Sequence, residues 1–216
     1  MELQELEKLI KDRRTIRKWK RQDVSDDLIR KAIEVATWAP NGGNFQGWRF
    51  IAVKNREVIV SMANAVQSVA DKIASWPESL QWKGDMERYR ANASFFRNAP
   101  VCIGVFAGQY ISALDRPLMV RKSYDQEARE ILVSRRSAPT AIQSAAAAAM
   151  ALVLVLHQVG LGAAWLGAPL MAKKEIEQIL KVSGDLSLVC LVAVGYPDES
   201  PKKDRKPVDE VLEFVR

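Results

Sequence analysis

Residues 39–53 read APNGGNFQGWRFIAV, and they decide how the rest of the chain is parsed. The second half, WRFIAV at 48–53, is aromatic and β-branched, the composition of a buried strand. The first half holds Pro40, Asn41, Gly42, Gly43, Asn44, Gln46 and Gly47. Asn and Gly suit backbone at positive φ, so one reading is a plain turn. The same residues also suit a ligand loop. Gly42 and Gly43 would let a ligand approach backbone amides closely, and Asn44 and Gln46 offer paired donors and acceptors. Upstream, Ser25, Asp26 and Asp27 supply a helix cap and two acids near the positive helix end. Leu28, Ile29, Ala32, Ile33 and Ala36 give that helix one apolar face, and Pro40 disfavours its continuation through Ala39.

The alternation of helix and strand continues in both directions. Leu3, Leu6, Leu9 and Ile10 recur at helical spacing over residues 2–11. Residues 55–73 and 173–182 read as further helices. VCIGVFA at 101–107 and LSLVCLVAVGY at 186–196 read as buried strands, and GAAWLG at 162–167 as a short strand or turn. Thr140 opens a long helix ending near Val159 and Gly160, apolar nearly all round and so expected in the core or in a subunit interface. Residues 75–98 and 109–139 are charged and weakly periodic, and are expected to be loop or short-helix insertions forming a cap. The pattern fits one domain over residues 1–216, an α+β three-layer fold.

Among 216 residues, 48% are hydrophobic and 27% charged, an ordinary globular balance. Cys102 and Cys190 lie in apolar runs and read as small buried hydrophobes. The longest apolar run, residues 145–156, is shorter than the roughly 20 residues that cross a bilayer. Residues 1–11 lack the pattern of a secretory signal, so a cytoplasmic location without membrane attachment is expected. A single histidine, His157, leaves no histidine-rich metal site. There is no G-x-S-x-G elbow and no phosphate loop ending in GK[ST]. Any enzyme here would borrow its chemistry from an organic cofactor.

Residues 13–21, RRTIRKWKR, ask for an anion. Thr15 set between Arg14 and Arg17 would place a hydroxyl beside forked guanidinium groups, a good phosphate grip. Interleaved with Trp19, the same cations would also suit phosphate contact plus base stacking on a nucleic acid, though no recognition motif accompanies them. A second basic cluster, KKDRK, lies at 202–206, and the net charge is +6.

Taken together, RRTIRKW and the following PNGGNFQGWRF resemble the opening of the nitroreductase family of flavoproteins. There a basic R-R-S-x-R element precedes A-P-S-x-x-N-x-Q-P-W-x-F. The strand after Ala99-Pro100, GLGAAWLG at 160–167 and GYPDESPKKDRKP at 195–207 agree with it in order and spacing. Gly47 stands where the family has Pro, a change expected to loosen the loop.

The resemblance implies a mostly antiparallel sheet flanked by helices, in an intertwined homodimer with FMN at the subunit interface. Arg13, Arg14 and Thr15 would hold the phosphate and ribityl chain, joined by Lys203 and Arg205 from the tail. Arg17 would face the flavin N1/O2 edge. Pro40, Asn41, Gly42, Gly43, Asn44 and Gln46 would reach the flavin from the other subunit, and a backbone N–H near Leu166 and Gly167 would meet N5. The implied activity is ping-pong hydride transfer from NADH or NADPH to flavin N5 and on to a nitroaromatic, quinone or other conjugated acceptor. Trp76, Trp82, Tyr89, Phe95 and Phe96 are candidates for a stacking cap over that acceptor. A flavin carrier or sensor without fast turnover is the alternative, and a basic nucleic-acid-binding protein a more distant one.

Overall fold

The computed structural model describes residues 2–216. Four strands, β1 (Trp48–Val53), β2 (Val101–Gly108), β3 (Gly162–Leu166) and β4 (Leu186–Gly195), form one sheet in the order β1-β2-β4-β3. Every neighbouring pair is antiparallel. Both central strands are buried almost throughout, so each must supply apolar side chains to two faces.

Those faces belong to two separate cores. On β2, Cys102 and Phe106 face one core, while Val101, Ile103, Val105 and Ala107 face the other. A bulge opposite Val105 and Phe106 resets the alternation on β4, so that Leu188 and Leu191 point to the same side. The first core is closed by α3 (Arg56–Ala74) and α8 (Lys173–Ile179) through Ile59, Met62, Ala63, Val66 and Ile176. The second is closed by α2 (Asp26–Ala36) and α7 (Thr140–Gln158) through Ile29, Ala32, Ala149, Leu152 and Leu156. Helix, sheet and helix thus stack in three layers, as the alternation of apolar segments predicts.

Local sequence explains the boundaries. The Ser25 hydroxyl accepts the Leu28 amide at 3.3 Å and caps α2. Asn55 caps α3 by accepting from Glu57 and Val58. Gly160, at φ +81°, turns the chain out of α7 into β3. Residues 126–158 contain the one stretch, among the described residues, apolar and long enough to cross a bilayer; its second part is α7, which packs on the sheet as a core helix.

The weakly periodic segments do form helices. Residues 75–98 hold α4 (Lys83–Asn92) between two 3-10 turns, and residues 109–139 fold into α5 (Asp115–Arg121) and α6 (Gln126–Ser137). The first helix, α1 (Leu3–Asp12), is amphipathic as expected, but buries none of its residues in this chain. Leu3, Leu6 and Ile10 remain exposed, as do Val211, Leu212 and Phe214 in the tail.

Candidate functional site

The segment after α1 is extended, and its register is fixed by backbone bonds on both sides. Thr15 bridges Ala163 of β3 in parallel, and the Ile16 amide donates to the Ala163 carbonyl at 3.0 Å. On its other side the chain returns antiparallel. Trp19 bridges Pro197, and the Asp198 amide donates to Lys18 at 3.0 Å. Glu199 then accepts from the Arg17 and Lys18 backbone amides. Residues 13–19 therefore run between β3 and the start of the tail, carried on hydrogen bonds from both.

This register orders the predicted residues along a line. Arg13 and Thr15 lie at one end. Arg17 lies toward the other, the direction in which parallel β3 proceeds to Leu166 and Gly167. From Ala163 to Gly167 is about 13 Å of strand. Because the tail runs antiparallel from Trp19, its later residues come back to the Arg13 end. Arg205 is close enough that its positive charge, together with burial and the charge of Arg14, depresses the Arg13 guanidinium pKa. Burial is the largest of these causes. Lys203, also on the tail, stays exposed. None of Arg13, Arg17, Lys203 and Arg205 enters an ion pair among the described residues. Arg13 and Arg205, uncompensated cations at one end of the segment, fit a dianionic group, whose charge would relieve their repulsion.

At the other end the surface is open. Leu166 is buried but Gly167 is exposed, and a side chain added at Gly167 would meet nothing within 4 Å. A planar ring could therefore lie against this backbone. Arg17 sits over the Phe95 ring at 5.8 Å, and Phe95 stacks on Trp19 at 6.1 Å. His157, the last basic residue of α7, lies beside the cation cluster. Burial and then Arg13 lower its pKa.

The loop at residues 40–47 forms a second, separate group. Gly42 donates to the Ser144 hydroxyl at 3.2 Å, and Asn41 accepts from the Gln46 amide at 2.9 Å. Gln46 also donates to Asn44 at 3.1 Å. Gly43, Asn44 and Gln46 all have positive φ, so the glycine and amide residues satisfy a backbone demand. Gly42 has a packing role as well. Its missing side chain makes room for the Thr140 methyl, which a Cβ there would strike, so a protein contact already requires glycine. Gly47 does not loosen the loop either: its carbonyl accepts from Gly108 at 2.7 Å, and Phe45 covers the space a side chain would need. Pro40 is exposed at the loop's start.

The structure does not bring the two groups together within one chain. The loop meets α7 at Thr140 and Ser144, whereas Arg13 and Arg14 lie beside His157. The helix between them rises about 25 Å, more than one small cofactor spans while touching both.

The nitroreductase family model matches residues 10–196. The chain belongs to the nitroreductase family. It is 29% identical over 210 residues to an iodotyrosine deiodinase of Thermotoga neapolitana, covering 94% of each chain. A BluB-like flavoprotein of Clostridium difficile 630 is similar in structure, with a TM-score of 0.85, 28% identity and 100% of both chains covered. A nitroreductase with bound FMN from Desulfitobacterium hafniense shares the fold at a TM-score of 0.72 and 21% identity, again over 100% of both chains.

Two expectations are corrected within this nitroreductase fold. Trp19 is not available for stacking on a base: it is 9% exposed, and its Nε1–H donates to the Gly162 carbonyl at 3.0 Å. Phe96 is fully buried in the first core and so forms no part of a stacking cap, whereas Phe95 is half-buried between Trp19 and Arg17. Trp76, Trp82 and Tyr89 do remain exposed. Sequence reasoning missed Glu199, because one acid in the stretch GYPDESP carries no local signal of its backbone partners.

Proposed function

We propose that this nitroreductase-family chain is an FMN-dependent oxidoreductase that takes reducing equivalents from NADH or NADPH and delivers them to a conjugated small molecule. The observation that carries it is the line of cations and open backbone from Arg13 to Gly167, with length and polarity suited to a flavin mononucleotide. Arg13, Arg14, Thr15, Lys203 and Arg205 would hold the phosphate end, where uncompensated positive charge already collects. Arg17 would place a cation at the pyrimidine edge of the ring. The Gly167 amide, in open space after β3, would donate a hydrogen bond to the ring. When bound, FMN would supply hydride acceptance and release at its N5 atom.

We further infer a homodimer, in which Asn41, Gly42, Gly43, Asn44 and Gln46 of one protomer complete the site on the other. The roughly 25 Å rise of α7 between the two halves of the site supports this. So does the uncovered apolar face of α1, since exposed apolar patches of this kind mark interfaces. Two free, buried cysteines suit the reducing cytoplasm.

The test is the visible spectrum of the purified protein under nitrogen, before and after NADH or NADPH. Flavin bands that bleach with either donor support the proposal. A colourless protein that takes up no added FMN refutes it. A yellow protein that no donor reduces faster than free FMN is a carrier instead. The acceptor panel should include nitroaromatics, quinones and an iodinated tyrosine, the last because of the 29% identity to a deiodinase.

A further inference from the structure

A cavity of about 240 Å³ opens between α5, α6 and the start of α7. It shares Tyr110 and Ala141 with the pocket beside the loop at residues 41–47. Tyr110 leans on Phe45 at a ring separation of 5.4 Å, and its hydroxyl lies 3.0 Å from where a Gly43 side chain would begin. A ligand in this cavity would therefore be separated from that loop by little more than one aromatic ring.

The walls divide by chemistry. Ile111, Met119 and Leu132 supply an apolar side, Tyr110 separates the cavity from the loop, and Thr140 brings a hydroxyl. Two arginines also line the cavity, and they differ. Arg135 is neutralised: its Nε donates to Asp115 at 2.7 Å, and a second nitrogen reaches the Ser112 hydroxyl at 3.1 Å. The pair links α6 to the start of α5 on one side of the cavity. Arg136, the next residue, has no carboxylate and no hydrogen-bond acceptor among the described residues. Arg136 is exposed and lines a partly apolar cavity, and a guanidinium there with no acid paired to it can recognise an anion.

We propose that this cavity selects the electron acceptor, and that it takes a small aromatic or apolar molecule carrying one carboxylate, paired with Arg136. Thr140 would donate a further hydrogen bond to that group, while the ring lies against Ile111, Met119 and Leu132. The proposal rests on the flavin reading above for the role of the bound molecule, but not for its binding. With Arg135 already committed to Asp115, the selection falls on one side chain.

The experiment compares two probes of similar shape, 4-nitrobenzoate and its neutral methyl ester, by titration calorimetry on the purified protein after incubation with FMN. The wild type should bind the acid about 10- to 100-fold more tightly than the ester, the strength of a hydrogen-bonded ion pair. Arg136→Gln should abolish that preference, and Arg136→Lys, which keeps the charge but not the fork, should restore part of it. In steady state the loss should fall on KM for the acid more than on kcat. Equal binding of both probes by the wild type overturns the proposal, as does a preference that survives in Arg136→Gln. If the acid preference is present but the protein holds no FMN, the cavity stands as a binding site and the flavin reading falls. If FMN is held and reduced but the preference is absent, the cavity proposal falls alone.

Discussion

At the scale of single residues, charge without a partner is the most informative signal in this chain. Arg205 lies on an exposed tail and contributes nothing to either core, yet its charge reaches Arg13. Arg205→Ala should leave the unfolding midpoint unchanged and weaken FMN binding by about 10- to 100-fold, the loss of one charge-assisted contact. Fluorescence titration of the apoprotein with FMN measures it, and unchanged affinity would mean the tail does not return to the phosphate. Arg17→Ala should lower the flavin reduction potential, because a cation near the ring favours the anionic reduced form; a potential equal to the parent's would move Arg17 away from that edge. His157 offers a third test. Its folded pKa lies below the ordinary 6.5, through burial and then Arg13. The unfolded chain therefore binds more protons between the two values, so apoprotein stability is full above 6.5 and falls as pH drops toward the folded pKa. Urea midpoints on either side of 6.5 should show that fall. His157→Asn should reduce it, and so should FMN, whose phosphate would raise the folded pKa.

At the scale of elements, the site rests on one extended segment that lies outside the four-stranded sheet. Residues 13–19 are wedged between β3 and the tail, and Trp19 is the pin: buried, bonded to Gly162, and stacked on Phe95. Trp19→Phe keeps most of the apolar area and removes the indole N–H, leaving the Gly162 carbonyl without that donor. A destabilisation of about 1–3 kcal/mol is expected, with a parallel loss of FMN affinity, because the segment carries Arg13 and Arg17. Chemical denaturation of the apoprotein gives the first quantity; a loss below about 0.5 kcal/mol would mean the pin bears little. The elements legible in the sequence are those that bury much apolar surface. The strands at 48–53, 101–107 and 186–196, and the helices on Ile29, Ile59 and Leu152, follow from apolar runs, helical spacing and cap residues. The α5–α6 pair is not legible beyond short helices, since α6 buries only Ala128 and Leu132 and its other positions are mostly polar or charged. What holds that pair is Arg135 on Asp115, a contact 20 residues apart that no local pattern announces. The same limit hides the Gly42–Thr140 contact, a packing demand for glycine that no local pattern announces.

At the scale of the whole molecule, the two halves of the candidate site lie at opposite ends of α7, and that separation makes a prediction about partnership. If each flavin is held by the Arg13 end of one protomer and the residue 41–46 loop of its partner, then a defect in either half can be complemented. Two variants are needed. Arg13→Ala/Arg205→Ala removes the phosphate grip. Gly43→Asp sets a carboxylate in the loop, and aspartate is among the residues that tolerate the φ of +58° found there. Each homodimer alone should lose FMN at both sites. In a mixed dimer one site combines both defects, and the other combines two intact halves. Dimers purified with two different affinity tags should therefore recover one FMN per dimer, half the wild-type content. Were both halves of a site on the same chain, every site in the mixed dimer would carry one defect, and no FMN would return. Measuring flavin absorbance against protein for the doubly tagged dimer separates the two arrangements, and a species of one chain mass, 24.2 kDa, under all conditions would reject the dimer itself.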